Sequence, residues 1–268
     1  MLSNKHFLSI CILIFSNLAI LITANLISLI FPLINPIFNQ ILLITTKFIL
    51  LFILMFLIVP FIYKLPREYH SFQKYLNGIH LSFQPSYSRI MFYTIVCYSI
   101  FVLSEFIGSL IYGDFVFDIS RVVPPNSYSI LDINPGLFEE IMFRGIIFTL
   151  LLSRFSKNKT LYLSAFLFGI VHYANLLNDC NSVMVLYTTA QALWAFGMGV
   201  LWGYLVIKTN SIIPSIILHY LSNAFDSLWL FLPMASLELR LIYMLLFAKF
   251  IPILISIILI RSISRLSK

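Results

Sequence analysis

Charged residues are scarce in this chain. Asp, Glu, Lys and Arg make up only 10% of the 268 residues, and 60% of the residues are hydrophobic. An ordinary soluble domain has about 25% charged and about 45–50% apolar residues, so a water-soluble globule is excluded. Acidic residues are fewer than basic ones: the chain has 10 Asp and Glu and 17 Lys and Arg, for a net charge of +7. At this hydropathy the basic excess indicates membrane topology, and no nucleic-acid partner is expected.

Other features are missing as well. Cysteine occurs only at Cys11, Cys97 and Cys180, without a C-x-x-C spacing, so neither a disulfide framework nor a thiolate metal site is indicated. No internal repeat or low-complexity segment is present. The longest polar connection, residues 64–89, has room for a short surface helix but not for a core of its own. A separate soluble domain is therefore not expected.

Long apolar runs fill the rest of the sequence. A spanning helix needs about 20 mostly apolar residues, and the chain divides into eight segments near that length: residues 7–31, 41–63, 90–113, 135–153, 160–176, 183–207, 211–232 and 240–260. The first has no small-residue cleavage site and is soon followed by a second span, so it is expected to be retained. These segments predict an all-α polytopic membrane protein, a bundle of about eight transmembrane helices forming one integral membrane domain over residues 1–268.

Basic residues set the expected orientation. Connections between eight crossings alternate between the two sides of a membrane, and 12 of the 17 Lys and Arg residues fall on one side. Only Arg121 and Arg240 fall on the other, while Lys47, Arg144 and Lys249 lie within predicted spans. Because cytoplasmic loops carry the excess of Lys and Arg, both termini are predicted to be cytoplasmic. With no sorting signal in the chain, a multi-pass protein of a bacterial cell membrane is the simplest expectation.

The fourth segment carries two adjacent carboxylates into the membrane. Asn134 is a plausible N-cap, and Pro135 suits a first helical turn. Glu140 and Arg144 are four residues apart and share a helical face, which predicts a buried ion pair. Glu139 lies about 100° round the helix and is left for chemistry. Ionisable groups inside a membrane are costly and indicate a functional site.

The fifth and seventh segments add the two histidines that lie inside predicted spans. Phe168 and His172 are one turn apart, as are His219 and Asn223. From helix ends and a rise of about 1.5 Å per residue, Glu139 and His172 each lie roughly 6 Å from the non-cytoplasmic face, with His219 and Asn223 deeper. These depths are compatible with one polar cluster.

More ordinary interpretations exist for each of these residues. A lone membrane histidine is more often a hydrogen-bonded packing residue than a catalyst, and the ion pair alone is more often structural. Together, however, six costly polar residues favour a function. Other polar or aromatic residues in the spans are expected to pack or to snorkel, namely Lys47, Glu105, Asp226 and Lys249, with Trp194 and Trp202 as core residues.

At these positions the sequence resembles the CPBP, or Abi, family of intramembrane proteases, which includes CAAX-prenyl endopeptidases and bacteriocin-processing or immunity proteins. The family pattern is E-E-x-x-x-R, then F-x-x-x-H, then H-x-x-x-N or D, each on its own membrane helix. Each motif is short, but three in order over residues 134–226 form a fairly specific match. This chain carries them at Glu139, Glu140 and Arg144, at Phe168 and His172, and at His219 and Asn223.

The resemblance implies a division of labour among these residues. Glu139 and His172 are expected to hold and activate a water, and His219 and Asn223 to donate hydrogen bonds to the oxyanion of a tetrahedral intermediate. Peptide hydrolysis requires a base for water and preorganised donors for the developing charge. The predicted ion pair would then support the catalytic residues. The implied substrate is a membrane-bound, prenylated or bacteriocin-type peptide in the lipid bilayer.

A zinc site is an alternative that the resemblance leaves open. Members of the family have been described as metalloprotease-like, because two histidines and a carboxylate can form a zinc site with an open position. In this chain such a site would use Glu139, His172 and His219. The H-E-x-x-H motif is absent, and a glutamate–histidine pair can activate water unaided, so a metal-independent mechanism is favoured.

Two other function classes remain open. Buried Glu, His and Arg also build proton relays in transporters, although no broken inverted repeat supports one here. The same cluster could instead hold together a non-catalytic bacteriocin immunity protein or membrane partner. The side on which the site opens also stays open, because the basic residues place it towards the non-cytoplasmic face while CAAX enzymes take substrates from the cytosol.

Overall fold

The computed structural model describes residues 8–16, 19–20, 22–23, 36–62, 72–83, 86–112, 115–117, 133–177, 180–225, 229–231 and 242–266. Most of these residues are helical, as predicted. Residues 8–16, which lie within the predicted first span, are helical. The three cysteines are unpaired.

Eight helices in the described part of the chain are labelled α1 to α8, in chain order. The first three are α1 (Pro36–Phe52, continued by a π-helical turn Ile53–Ile58 and by Val59–Ile62), α2 (Phe72–Gly78) and α3 (Tyr87–Tyr112). Next come α4 (Ile133–Glu140, continued by a π-helical turn Ile141–Ile147 and by Phe148–Leu152) and α5 (Lys157–Val171, ending in a 3₁₀ turn His172–Leu177). The last are α6 (Ser182–Thr209), α7 (Ile213–Phe225) and α8 (Ile251–Leu266, preceded by a π-helical turn Met244–Phe250). The short helix α2 occupies the connection in which a surface helix was expected.

A small antiparallel strand pair interrupts the all-helical pattern. Phe115–Phe117 (β1) pairs with Trp229–Phe231 (β2), with Val116 opposite Leu230. The seventh predicted span, 211–232, is therefore wrong at its end, where residues 229–231 form a strand. Aromatic and β-branched residues favour strands, and hydropathy alone does not separate a short apolar strand from the end of an apolar helix.

The helices establish a multi-pass membrane protein. Four segments within the described residues are long and apolar enough to cross a bilayer: Tyr87–Gly108, Lys157–Leu177, Ser182–Thr209 and Leu245–Ile263. A shorter apolar helix covers Ile44–Ile58. Helix α7 has 13 residues, or about 20 Å, less than the hydrocarbon thickness of about 30 Å. Eight crossings therefore stay a prediction.

Helices α5 and α6 form a closely packed antiparallel hairpin. A Cβ on Gly169 would lie 2.7 Å from the carbonyl oxygen of Ala192, and a Cβ on Gly199 would lie 2.9 Å from the Cα of Ala165. Neither position has room for a side chain, because the two backbones touch there. Small residues permit this approach between membrane helices, and it fixes the position of each helix relative to the other.

Helix α3 packs against the turn that precedes α8. The Ser104 hydroxyl donates to the carbonyl oxygen of Phe247 at 2.6 Å, and the Tyr243 hydroxyl donates to that of Glu105 at 2.7 Å. Lys249 is buried, with its ammonium 4.5 Å from the centre of the Trp194 ring. Glu105 and Lys249 thus lie in helix packing, as expected, while Asp226 lies outside the described residues.

Candidate active site

The predicted ion pair is present and buried. The Nη1 atom of Arg144 is 3.2 Å from Oε1 of Glu140, and both side chains are completely buried. The guanidinium carbon lies 4.0 Å from the centre of the Phe168 ring and 5.0 Å from that of Trp202. The geometry of the pair does not meet the criteria for a hydrogen bond, so the contact is an ion pair only. The Arg144 cation therefore has both a carboxylate and two aromatic ring faces around it.

Glu140 also holds a histidine from a different helix. The Nδ1–H group of His219, on α7, donates to Oε1 of Glu140 at 3.1 Å. The imidazole stacks on the Trp202 indole, with ring centres 4.5 Å apart and planes inclined by 22°. A ring held at Nδ1 by a carboxylate has a defined tautomer and orientation. Glu140 therefore joins the α4 cation to the α7 imidazole.

Glu139 differs from its neighbour in exposure. Its side chain is 34% exposed, whereas that of Glu140 is 0% exposed. Oε2 of Glu139 lies 4.0 Å from Nε2 of His219, the ring nitrogen that Glu140 does not hold. Of the two adjacent carboxylates, only Glu139 can meet water or a substrate.

His172 stands at the junction between α5 and its 3₁₀ turn. Its Nδ1–H group donates to the carbonyl oxygen of Phe168 at 2.8 Å, one turn earlier. A carbonyl oxygen can only accept, so in the neutral ring Nε2 carries the lone pair. The ring is half-buried and meets Phe168 edge to face, with centres 4.9 Å apart. Phe168 also contacts His219, at 6.1 Å, and so lies between the two histidines.

The remaining predicted residues are placed less centrally. Asn223 is half-buried on α7, one turn after His219. Helix α4 begins at Ile133, so Asn134 lies inside the first turn, and its prediction as an N-cap is wrong by two positions, within the usual uncertainty of helix ends. Pro135 lies in the first turn, as predicted.

Trp202 is the site residue that the sequence interpretation missed. It was expected to be a core residue, and it is fully buried, but its indole is also the surface on which His219 lies. The Ser215 hydroxyl donates to the Trp202 carbonyl oxygen at 3.2 Å, which ties α7 to α6 close to this stack. Nothing in the spacing of Trp202 from the motif residues could have revealed this contact, because it depends on how α6 packs against α7.

The zinc alternative can be compared with the placement of its side chains. Among the described residues, no group of three or more His, Cys, Asp or Glu side chains is placed to hold a metal ion. Glu139, His172 and His219, the residues of the zinc alternative, are all among the described residues.

One comparison with known proteins gives a match. Residues 128–225 match the family model for the type II CAAX prenyl endopeptidase Rce1-like family. The matched range contains all seven motif residues and nearly coincides with the range 134–226 on which the resemblance was based. No curated protein and no solved structure matches the chain.

Proposed function

Since residues 128–225 match the Rce1-like family model, we propose that this protein is a protease of the CPBP family and hydrolyses a peptide bond of a membrane-bound or lipidated peptide. The substrate class is a prenylated or bacteriocin-type peptide reached within the bilayer. The observation that carries the proposal is the pair of adjacent carboxylates in different environments. Glu140 is buried against Arg144, and Glu139 is exposed beside His219.

Water activation falls to Glu139 in this proposal. A general base must reach the water it deprotonates, and the exposed carboxylate of Glu139 can do so. His172 is the second residue proposed to hold the water, through Nε2, because its Nδ1–H group is occupied by the Phe168 carbonyl. Attack of the water on the peptide carbonyl then gives a tetrahedral intermediate with a negatively charged oxygen.

Oxyanion stabilisation falls to His219 and Asn223. With Nδ1–H bound to Glu140, Nε2 of His219 donates when the ring carries its second proton. The amide of Asn223 is proposed as the second donor, one turn along the same helix. Donors held in place before the reaction stabilise developing charge most strongly in a water-excluded site, and Glu140 and Trp202 hold the imidazole.

The finer topology belongs to the same proposal. The chain forms one integral membrane domain of about eight spans in a bacterial cell membrane, with both termini in the cytoplasm. The supporting observation is the distribution of Lys and Arg between alternate connections. The hydrolysis proceeds without a metal ion, with Glu139 as the base.

The test is turnover by the reconstituted protein of a library of prenylated and unlipidated peptides. Glu139→Gln keeps the shape of the side chain and removes the base, and we expect a loss of at least about 100-fold, within the range of general-base catalysis. Glu105→Gln, a half-buried membrane carboxylate on α3, is the matched control and should retain turnover. Wild-type rates in the Glu139→Gln protein would overturn the mechanism.

Metal content measured on the same samples separates the two chemistries. Stoichiometric zinc that is lost in His172→Ala or His219→Ala would replace the glutamate mechanism by a metalloprotease. If no peptide is cleaved, and Glu139→Gln retains protection of a host against a bacteriocin, the immunity function replaces the protease.

A further inference from the structure

An open groove lies on the outer surface of the α5–α6 hairpin, away from the carboxylates. Its volume is about 530 Å³. Its surface is almost entirely apolar, and two of its lining residues, at one end, are of polar type. The lining residues are Asn158, Lys159, Tyr162, Leu163, Phe166 and Phe196.

The groove runs along a single face of α5. Lys159, Tyr162 and Phe166 are spaced by three and four residues, so they lie one above another on the helix. The Tyr162 side chain is 57% exposed and that of Phe166 is 54% exposed. Because Lys157–Leu177 is long and apolar enough to span a bilayer, this exposed apolar face meets lipid.

Exposed basic residues cluster around the end of the groove where α5 begins. Arg154, Lys157 and Lys159 are all exposed in the turn from α4 to α5 and the first turn of α5. The antiparallel partner α6 brings Lys208, in its last turn, to the same end of the hairpin. From residue 141 to residue 178 the sequence contains no Asp or Glu. An anionic group at this end thus meets several cations and no nearby carboxylate from these helices.

We propose that this groove binds an anionic phospholipid of the membrane leaflet on the Lys159 side. The phosphate lies at Lys159, at the N-terminal end of α5, where the helix dipole also favours negative charge. One acyl chain follows Tyr162 and Phe166 down the groove. Charge complementarity selects the headgroup, since basic residues between membrane helices at the membrane surface recognise anionic lipids.

The proposal is tested by lipid titration of the detergent-purified full-length protein, followed by native mass spectrometry. The probes are phosphatidylglycerol and phosphatidylcholine with identical acyl chains. We expect wild-type protein to bind phosphatidylglycerol at least about fivefold more tightly, the effect of roughly one basic residue at a membrane surface. Lys159→Gln should remove most of that preference. Arg89→Gln changes an exposed base on α3 outside the groove and should preserve it.

A second pair of variants tests the apolar part. Phe166→Ala should weaken binding of both lipids, whereas Phe92→Ala, which removes a similarly exposed phenyl ring on α3, should leave both unchanged. Equal wild-type affinities for the two lipids would overturn the proposal, as would equal effects of Lys159→Gln and Arg89→Gln. A dimer in the same spectra that disappears in Phe166→Ala would show that a second copy of the chain occupies the groove, and would also overturn it.

Discussion

Replacing Glu140 with Gln removes the only carboxylate within ion-pair distance of Arg144 among the described residues while keeping the shape of the side chain. The guanidinium is completely buried, so it cannot regain water without opening the packing around it. The same change weakens the acceptor of His219, whose Nδ1–H group is bound to Oε1 at 3.1 Å. We expect a large loss of stability from this one isosteric substitution.

The magnitude follows from the geometry of the pair. At the observed separation of 3.2 Å, Coulomb attraction at an effective dielectric constant of about 20 is worth about 5 kcal/mol. Removing one partner of a buried ion pair costs about 3–5 kcal/mol, because the other charge stays buried without compensation. Domains are stable by about 5–15 kcal/mol, so this loss is a substantial part of the total.

The assay is denaturant-induced unfolding in detergent micelles, followed by the helical circular dichroism signal. Glu140→Gln should lower the free energy of unfolding by about 3–5 kcal/mol. Combining it with Arg144→Met removes both charges, and the double variant should be more stable than Glu140→Gln alone. The matched control is Glu139→Gln, the neighbouring carboxylate with 34% exposure, which should cost less than about 1 kcal/mol.

Two results would refute this reasoning. A loss below about 1 kcal/mol in Glu140→Gln would mean that Arg144 is compensated by other groups, such as the rings of Phe168 and Trp202. A double variant less stable than the single variant would mean that the Arg144 side chain contributes packing that outweighs its buried charge.

Three further predictions concern other parts of the molecule. Trp202→Leu removes the surface on which His219 stacks and should lower kcat for cleavage more than it raises KM. Trp202→Phe should restore part of the activity, and the control Trp194→Leu should have no effect. Unchanged kinetics of Trp202→Leu would exclude a positioning role for Trp202. Burial lowers the pKa of His80, so the unfolded chain binds the proton more readily than the folded protein does. Stability should therefore fall as pH drops below about 6.5. In unfolding measured at several pH values, His80→Asn should reduce this pH dependence of stability, because Asn tolerates the left-handed backbone of this position (φ 61°). Gly199→Ala should destabilise the protein by about 1–3 kcal/mol through contact with α5. Gly197→Ala, whose new Cβ would be nearest to the tip of the Ile253 side chain and to the Phe250 ring, should cost less in the same assay.

Local patterns in the sequence predicted much of this structure. Apolar runs predicted most of the helices, and the spacing of Glu140 and Arg144 predicted the ion pair, because residues four apart on a helix are neighbours whatever the rest of the chain does. Glu139 was predicted to lie apart from that pair for the same reason. These are properties of single helices, and the structure confirms them.

Contacts between distant parts of the chain were beyond such patterns. Glu140 and His219 are 79 residues apart, and their hydrogen bond depends on α4 packing against α7. The stacking of His219 on Trp202 likewise depends on how α6 meets α7. The pairing of β1 with β2 joins segments more than 100 residues apart, and short apolar strands look like helix ends in a hydropathy profile. Packing of whole elements determined each of these features.

The stack of His219 on Trp202 also gives the protein an optical signal. Indole fluorescence is sensitive to a ring in direct contact, and an imidazole that gains a proton or moves away changes the emission. The chain has three tryptophans, so replacing Trp194 and Trp229 by Phe would leave Trp202 as the only emitter. Its emission would then report the protonation and position of His219 without a substrate. Ligands of the site could be found by screening for a change in fluorescence before a cleaved peptide is identified.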